Sequence, residues 1–161
     1  MHVKAVRADD RGTRRLPIKS FELNSLDAKR FTKLGERVPQ LRVDQNTAIT
    51  SITALSDREA TMEFRFVVNY VGVGVIKLEG KLVWDGEAKA IASQWSEKHT
   101  LPNEVFGPVL ATAYANCMPA TVTIARDIGL PPPLPPPPMA GRPATSAPGK
   151  GKDHHSSMEV G

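Results

Sequence analysis

The sequence predicts an α+β fold in which an antiparallel β-meander of about four strands is covered by one or two C-terminal helices. Three observations carry this expectation. Residues 60–84 alternate apolar and polar side chains with the period of two of half-buried strands. The stretch 105–117 instead spaces its apolar residues as one face of a helix. Nine of the 14 prolines fall from Pro131 onward, whereas all nine aromatic residues lie before that point. The foldable part is therefore about 110–130 residues, one domain's worth, followed by a tail without the means to build a core. With 40% apolar residues in the whole chain, a core is within reach. This size excludes a two-domain enzyme and a full dinucleotide-binding unit.

Residues 1–16 read as a basic, flexible leader, residues 17–130 as a single domain, and residues 131–161 as a proline-rich, disordered tail. Ile18–Leu23 is a short candidate strand, and Leu26–Leu34 is either a helical turn or an irregular connection. Gln40–Val43 and Ala48–Leu55 are rich in β-branched residues, which suits one long or interrupted strand. Met62, Phe64, Phe66, Val68 and Tyr70 then alternate with polar or smaller neighbours, and Ile76, Leu78, Gly80, Leu82 and Trp84 repeat the pattern. A three-residue loop at Gly72-Val73-Gly74 pairs Tyr70 with Ile76, Phe66 with Gly80 and Met62 with Trp84, keeping apolar side chains on one face. On the opposite face Glu63 approaches Lys81, and Arg65 approaches Glu79 diagonally. Asp85-Gly86 is a strong hairpin signal. It predicts that Glu87–Trp95 returns as a further strand, with Ile91 beside Gly80 and Trp95 beside Ile76. A helix starts near Pro108, used as a first-turn proline, and ends at Met118-Pro119. Ala120–Ile128 is a second short helix or an extended segment. Pro131–Pro138 has no choice but polyproline II.

Residues 1–42 carry eleven Lys or Arg against five Asp or Glu, while residues 43–130 carry seven against ten. A basic segment of this kind suits RNA or another acidic partner, and Arg11, Arg14, Arg15 and Lys19 form its candidate basic arm. No stretch approaches the roughly 18 apolar residues of a membrane span, and no secretory signal opens the chain. With one cysteine, Cys117, an internal disulfide and a multi-cysteine zinc site are excluded, and a cytoplasmic location is expected. Cys117 lies on the apolar side of its helix with no histidine near it in sequence, so it reads as a core residue. His2, His99, His154 and His155 are scattered, and no metal or other cofactor is expected. Gly72-Val73-Gly74 lacks the Gly-Lys-Ser/Thr ending and the following helix of a phosphate loop. No catalytic constellation emerges, so the chain reads as a non-enzyme. The sheet aromatics share their face with Val68, Leu78 and Leu82, as core residues do, rather than with the basic neighbours of an RNA-stacking platform.

The order of elements resembles the SecB family of export chaperones and its SecB-like relatives. The resemblance runs through "VPQLRVDQNT", "ATMEFRFVVNYVGVGVIKLEGKLVW", "AIASQW" and "LPNEVFGPVLATAYANCMPATVTIARDIGLPPP", and covers roughly Ile18–Pro133. It rests on element order and on Phe106 and Pro108 at a helix start. It implies a holdase, an ATP-independent chaperone that binds unfolded or pre-export polypeptides along apolar grooves of a homo-oligomer, a tetramer if SecB-like. Phe106, Val109 and Tyr114 are the groove positions it suggests. The basic leader and proline tail depart from the typically acidic family, which counts against docking to a translocase and leaves room for a ribosome-linked or antitoxin-associated role. The other reading is a non-enzymatic ribosome- or RNA-associated accessory protein that uses the basic arm.

Overall fold

Strands β1 (Ile18–Arg30), β2 (Val43–Ala54), β3 (Glu59–Tyr70) and β4 (Gly74–Asp85) precede helices α1 (Ala88–Lys98) and α2 (Asn103–Asp127) in the computed structural model, which describes residues 17–133. Every neighbouring pair is antiparallel, in the order β1-β4-β3-β2. Four antiparallel strands followed by helices match the expected α+β class. The leader through Leu16 and the chain from Leu134 onward, including most of the proline run, lie outside the described residues.

The alternation along β3 and β4 does sort the side chains. Met62, Phe64, Phe66, Val68 and Tyr70 are buried, as are Ile76, Leu78 and Leu82, and both helices pack on this face. Burying each such side chain contributes about 1.5–3 kcal/mol. The expected face is right but the expected register is off by two residues. Tyr70 pairs with Gly74, Phe66 with Leu78, Phe64 with Gly80 and Ala60 with Trp84. The loop is Val71-Gly72-Val73, with Gly72 at φ +75° and the Val73 N–H donating to the Tyr70 carbonyl at 2.8 Å. Gly74 belongs to the strand because β1 lies too close for a side chain, and a Cβ there would stand 2.6 Å from the Lys29 carbonyl oxygen. On the outer face Glu63 and Lys81 are directly opposite, and so are Arg65 and Glu79, whose Nε–Oε1 separation is 2.7 Å.

Strand β1 corrects the short strand and irregular connection expected before residue 34. It runs through Arg30, and a bulge between Leu23 and Ser25 accommodates Asn24. The extra residue reverses the inside–outside phase, so Phe21 and Leu23 share a face with Leu26 and Ala28. That reversal hides a 13-residue strand from a simple period-two reading. Strand β2 is one long strand with its own bulge between Ile49 and Ser51. The two bulges flank one row of the sheet, that of Phe64 and Gly80.

The return strand expected after Asp85-Gly86 is helix α1. Ala88, Ile91 and Trp95 follow helical spacing, and the alanines and Lys89 between them favour a helix. Because β1 already pairs with β4, no place remains for Glu87–Trp95 beside it. Gly80 therefore lies between Phe64 and Leu23, not between Phe66 and Ile91. Helix α2 likewise replaces the expected start at Pro108 and stop at Pro119, containing both prolines within 25 residues. Pro119 is exposed and Pro108 half-buried, so neither belongs to the fully buried face that holds α2 to the sheet.

After α2, the chain crosses the end of the sheet. Arg30 donates to the Gly129 carbonyl, the Tyr70 hydroxyl to that of Pro131 at 2.7 Å, and Gln45 Nε2 to that of Pro133 at 2.6 Å. Leu130 and Pro133 are buried in this crossing. Tyr70→Phe is expected to lower the unfolding free energy by about 1 kcal/mol, read from urea denaturation, because it removes one of the three anchors.

Candidate functional site

The helices lie over β2, β3 and β4, and the apolar side of β1 is left largely bare. Phe21 stacks on Phe64 with ring centroids 5.2 Å apart, but beyond it Leu23 and Leu26 are 38% and 55% exposed. Leu26 ends a cross-sheet row that continues through Leu78 to Phe66. Upon that row stands Tyr114 of α2, its ring edge-on to Phe66 with centroids 6.3 Å apart. Phe106, Leu110 and Tyr114 follow one another at intervals of four residues and so form a single stripe on α2. Phe106 and Tyr114 are 38% and 43% exposed, and Leu110 is half-buried. Bare apolar groups on an edge strand and on the neighbouring long helix form a surface suited to an extended apolar chain. The open hydrogen-bonding edge of β1 offers main-chain partners as well.

The residues singled out from the sequence divide at this surface. Phe106 and Tyr114 lie on it, whereas Val109 is fully buried and faces the sheet, which removes it from the exposed stripe. Leu110, Leu23 and Leu26 take its place. Nothing in the sequence marked the two leucines of β1, because their exposure depends on where the helices lie. Among the basic-arm residues, Lys19 is in β1 and is bonded to Glu59, with Asp85 at 3.9 Å. Arg11, Arg14 and Arg15 lie outside the described residues.

Cys117 is buried in the middle of α2, and desolvation raises its thiol pKa from 9.0 to about 11. Burial likewise raises that of the Tyr70 hydroxyl from 10.0 to about 12. An acid whose pKa is higher in the folded state keeps its proton to higher pH than the unfolded chain does. The stabilisation is therefore full below the ordinary thiol range and is lost as pH rises from about 9 through 11. A melting temperature that falls across this window is the expected result, with part of the fall removed in Cys117→Ala. At pH 8 the native thiol is expected to react with an aromatic disulfide at least about a hundredfold more slowly than in the unfolded chain. Among the described residues no group of three His, Cys, Asp or Glu side chains is placed to hold a metal ion. No helix among them is long and apolar enough to cross a membrane.

No family model and no curated protein matches the chain by sequence. A solved structure does match by fold: the Mycobacterium tuberculosis Rv1957 SecB-like chaperone in complex with a ChAD peptide from the Rv1956 HigA1 antitoxin. The TM-score is 0.50 over 71% of this chain and 83% of that chain, at 11% sequence identity. The fold is SecB-like. At that identity the likeness is one of architecture, and the bare apolar surface described above is this chain's own. In the SecB-like fold of this chain, the long helix and the outer strand that carry this surface are α2 and β1.

Proposed function

We propose that the protein is an ATP-independent holdase of the SecB-like type, binding unfolded or pre-export polypeptides through apolar grooves of a homo-oligomer. The observation that carries this reading is the uncovered surface of Leu23, Leu26, Phe106 and Tyr114 beside a well-packed core. Large apolar groups left exposed beside a packed core mark sites of interaction. A folded partner needs matching shape, but an unfolded chain needs only apolar side chains and a free backbone, and an edge strand next to an apolar stripe meets both needs. The peptide bound to the M. tuberculosis SecB-like chaperone supports a polypeptide as ligand here too. No chemical step is involved and no cofactor is called for. In this reading the protein acts in the cytoplasm as a tetramer, with residues 17–130 as its working domain.

Binding of a permanently unfolded, fluorescently labelled polypeptide tests the reading. Anisotropy is expected to rise to saturation without nucleotide and to persist at high salt. The RNA-accessory reading predicts the reverse: affinity for single-stranded RNA that falls steeply with ionic strength, and none for the polypeptide. That second pattern would replace the holdase reading. Lys19 favours the first, since its charge is already engaged with Glu59.

A further inference from the structure

The end of the sheet where β1 stops at Arg30 and β3 turns into β4 carries a second set of exposed apolar groups. Leu34, at 79%, is the most exposed large apolar side chain among the described residues; Phe31 is 63% exposed, and Val71 is exposed too. Leu34 and Val71 stand on turns of the same build. In Lys33–Glu36 the Glu36 N–H donates to the Lys33 carbonyl at 3.1 Å, with Leu34 second and Gly35, at φ +83°, third. In Tyr70–Val73 the corresponding bond is 2.8 Å, with Val71 second and Gly72, at φ +75°, third. Phe31 joins them, its N–H donating to the Val73 carbonyl at 2.7 Å. Water-facing turns are dominated by Gly, Pro, Asn, Asp and Ser, yet both of these set a bulky aliphatic side chain at the corner. The Leu34 turn is also held in place, because the Arg30 guanidinium donates to the carbonyls of Thr32, Lys33 and Gly129.

Charge at this end is one-sided. Residues 29–42 hold Lys29, Arg30, Lys33, Arg37 and Arg42 against Glu36 alone. The Glu36 carboxylate accepts from the Lys33 main-chain N–H at 3.1 Å, and Arg42 is paired with Asp44 at 2.9 Å. Lys33 and Arg37 are in no ion pair among the described residues. Projecting aliphatic tips flanked by uncompensated cations suit a partner that is anionic at its surface and apolar just beneath. Single-stranded RNA supplies the charge but stacks on rings, and of the three groups only Phe31 offers one. A lipid surface supplies both and yields to whatever projects into it. We propose that this end of the molecule docks reversibly on an anionic lipid bilayer. Leu34 and Val71 enter the headgroup region, while Lys33 and Arg37 lie against lipid phosphates. Salt weakens the charge attraction and leaves the apolar contribution in place. The proposal is independent of whether the chain is a holdase.

The test uses the full-length protein and vesicles of phosphatidylcholine containing about one-third phosphatidylglycerol. Flotation with these vesicles is expected, and it is expected to be much weaker with phosphatidylcholine alone. Leu34→Asp combined with Val71→Asp is expected to lower the partition coefficient at least about tenfold, since two apolar tips no longer enter the bilayer. A second measurement locates the contact. In a Cys117→Ala background, Leu34→Cys takes an environment-sensitive fluorophore at the tip, and Asp57→Cys takes it between β2 and β3, at the opposite end of the sheet. The Leu34 label is expected to shift to the blue on anionic vesicles and to be quenched by brominated lipid, and the Asp57 label to do neither. Absence of flotation, or flotation with an unmoved Leu34 label, would overturn the proposal. So would equal responses of the two labels. A Leu34 shift produced without vesicles by RNA, by an unfolded polypeptide or by rising protein concentration, and not by vesicles, would assign the surface to that partner instead and overturn it too.

Discussion

Gly80→Val is expected to lower the unfolding free energy by about 3 kcal/mol, as measured by urea denaturation with an unchanged slope. Gly80 sits mid-strand in β4, between Leu23 of β1 and Phe64 of β3. A Cβ there would stand 2.3 Å from the Glu22 carbonyl oxygen and 2.8 Å from Phe64 Cζ. The first obstacle is backbone, so β1 has to move away from β4 to make room. Both edge strands already bulge at this row, leaving little further adjustment to absorb the strain. Gly80→Ala is expected to cost less, about 2 kcal/mol, because alanine adds the Cβ alone whereas valine adds two further methyl groups to the same crowded row. A Gly80→Val protein as stable as the parent would show that β1 does not pair with β4 at this row.

The second large effect is functional. Phe106→Asp combined with Tyr114→Asp is expected to weaken capture of an unfolded polypeptide by on the order of tenfold to a hundredfold, with a melting temperature lowered by the loss of the edge-on contact between Tyr114 and Phe66 but the cooperative transition retained. Each ring has room to bury further surface against a client, and complete burial of such a side chain is worth about 1.5–3 kcal/mol. Losing part of that at two positions removes about 1.5–3 kcal/mol of affinity, and every 1.4 kcal/mol is a factor of ten. The fold is retained because Val105, Val109 and Ala113 hold α2 to the sheet and remain in place. Ala115→Asp, at an exposed position of the same helix outside the stripe, is the matched control and is expected to bind as the parent does. Equal affinity in the double variant and the control would move the binding surface away from α2.

The two middle strands were legible because nothing interrupts their alternation from Ala60 to Trp84. A face assignment survives a register error of two residues, since side chains repeat with that period. Strand β1 was only half legible, because Asn24 reverses its phase and makes the leucines on either side appear to face opposite ways. In Glu87–Trp95 a local turn signal, Asp85-Gly86, competed with helical spacing at Ala88, Ile91 and Trp95, and the spacing prevailed because the edge of β4 was already occupied. Pro108 and Pro119 marked helix boundaries by their local chemistry, yet packing along the buried face carries α2 past both. Phe106 and Tyr114 are singled out through the resemblance to the SecB family, from the same helical run of apolar residues as Val109. Val109 was not separable from them, since its burial depends on the side of α2 that meets the sheet. The exposure of Leu23 and Leu26 is a purely tertiary property, set by two helices that cover three strands of four.

The central claim, that this SecB-like fold holds unfolded chains through an uncovered apolar surface, is tested most directly by light scattering from a chemically denatured client diluted into the purified protein without nucleotide. Scattering is expected to be suppressed at stoichiometric amounts of the protein. Client scattering unchanged by a stoichiometric excess would contradict it.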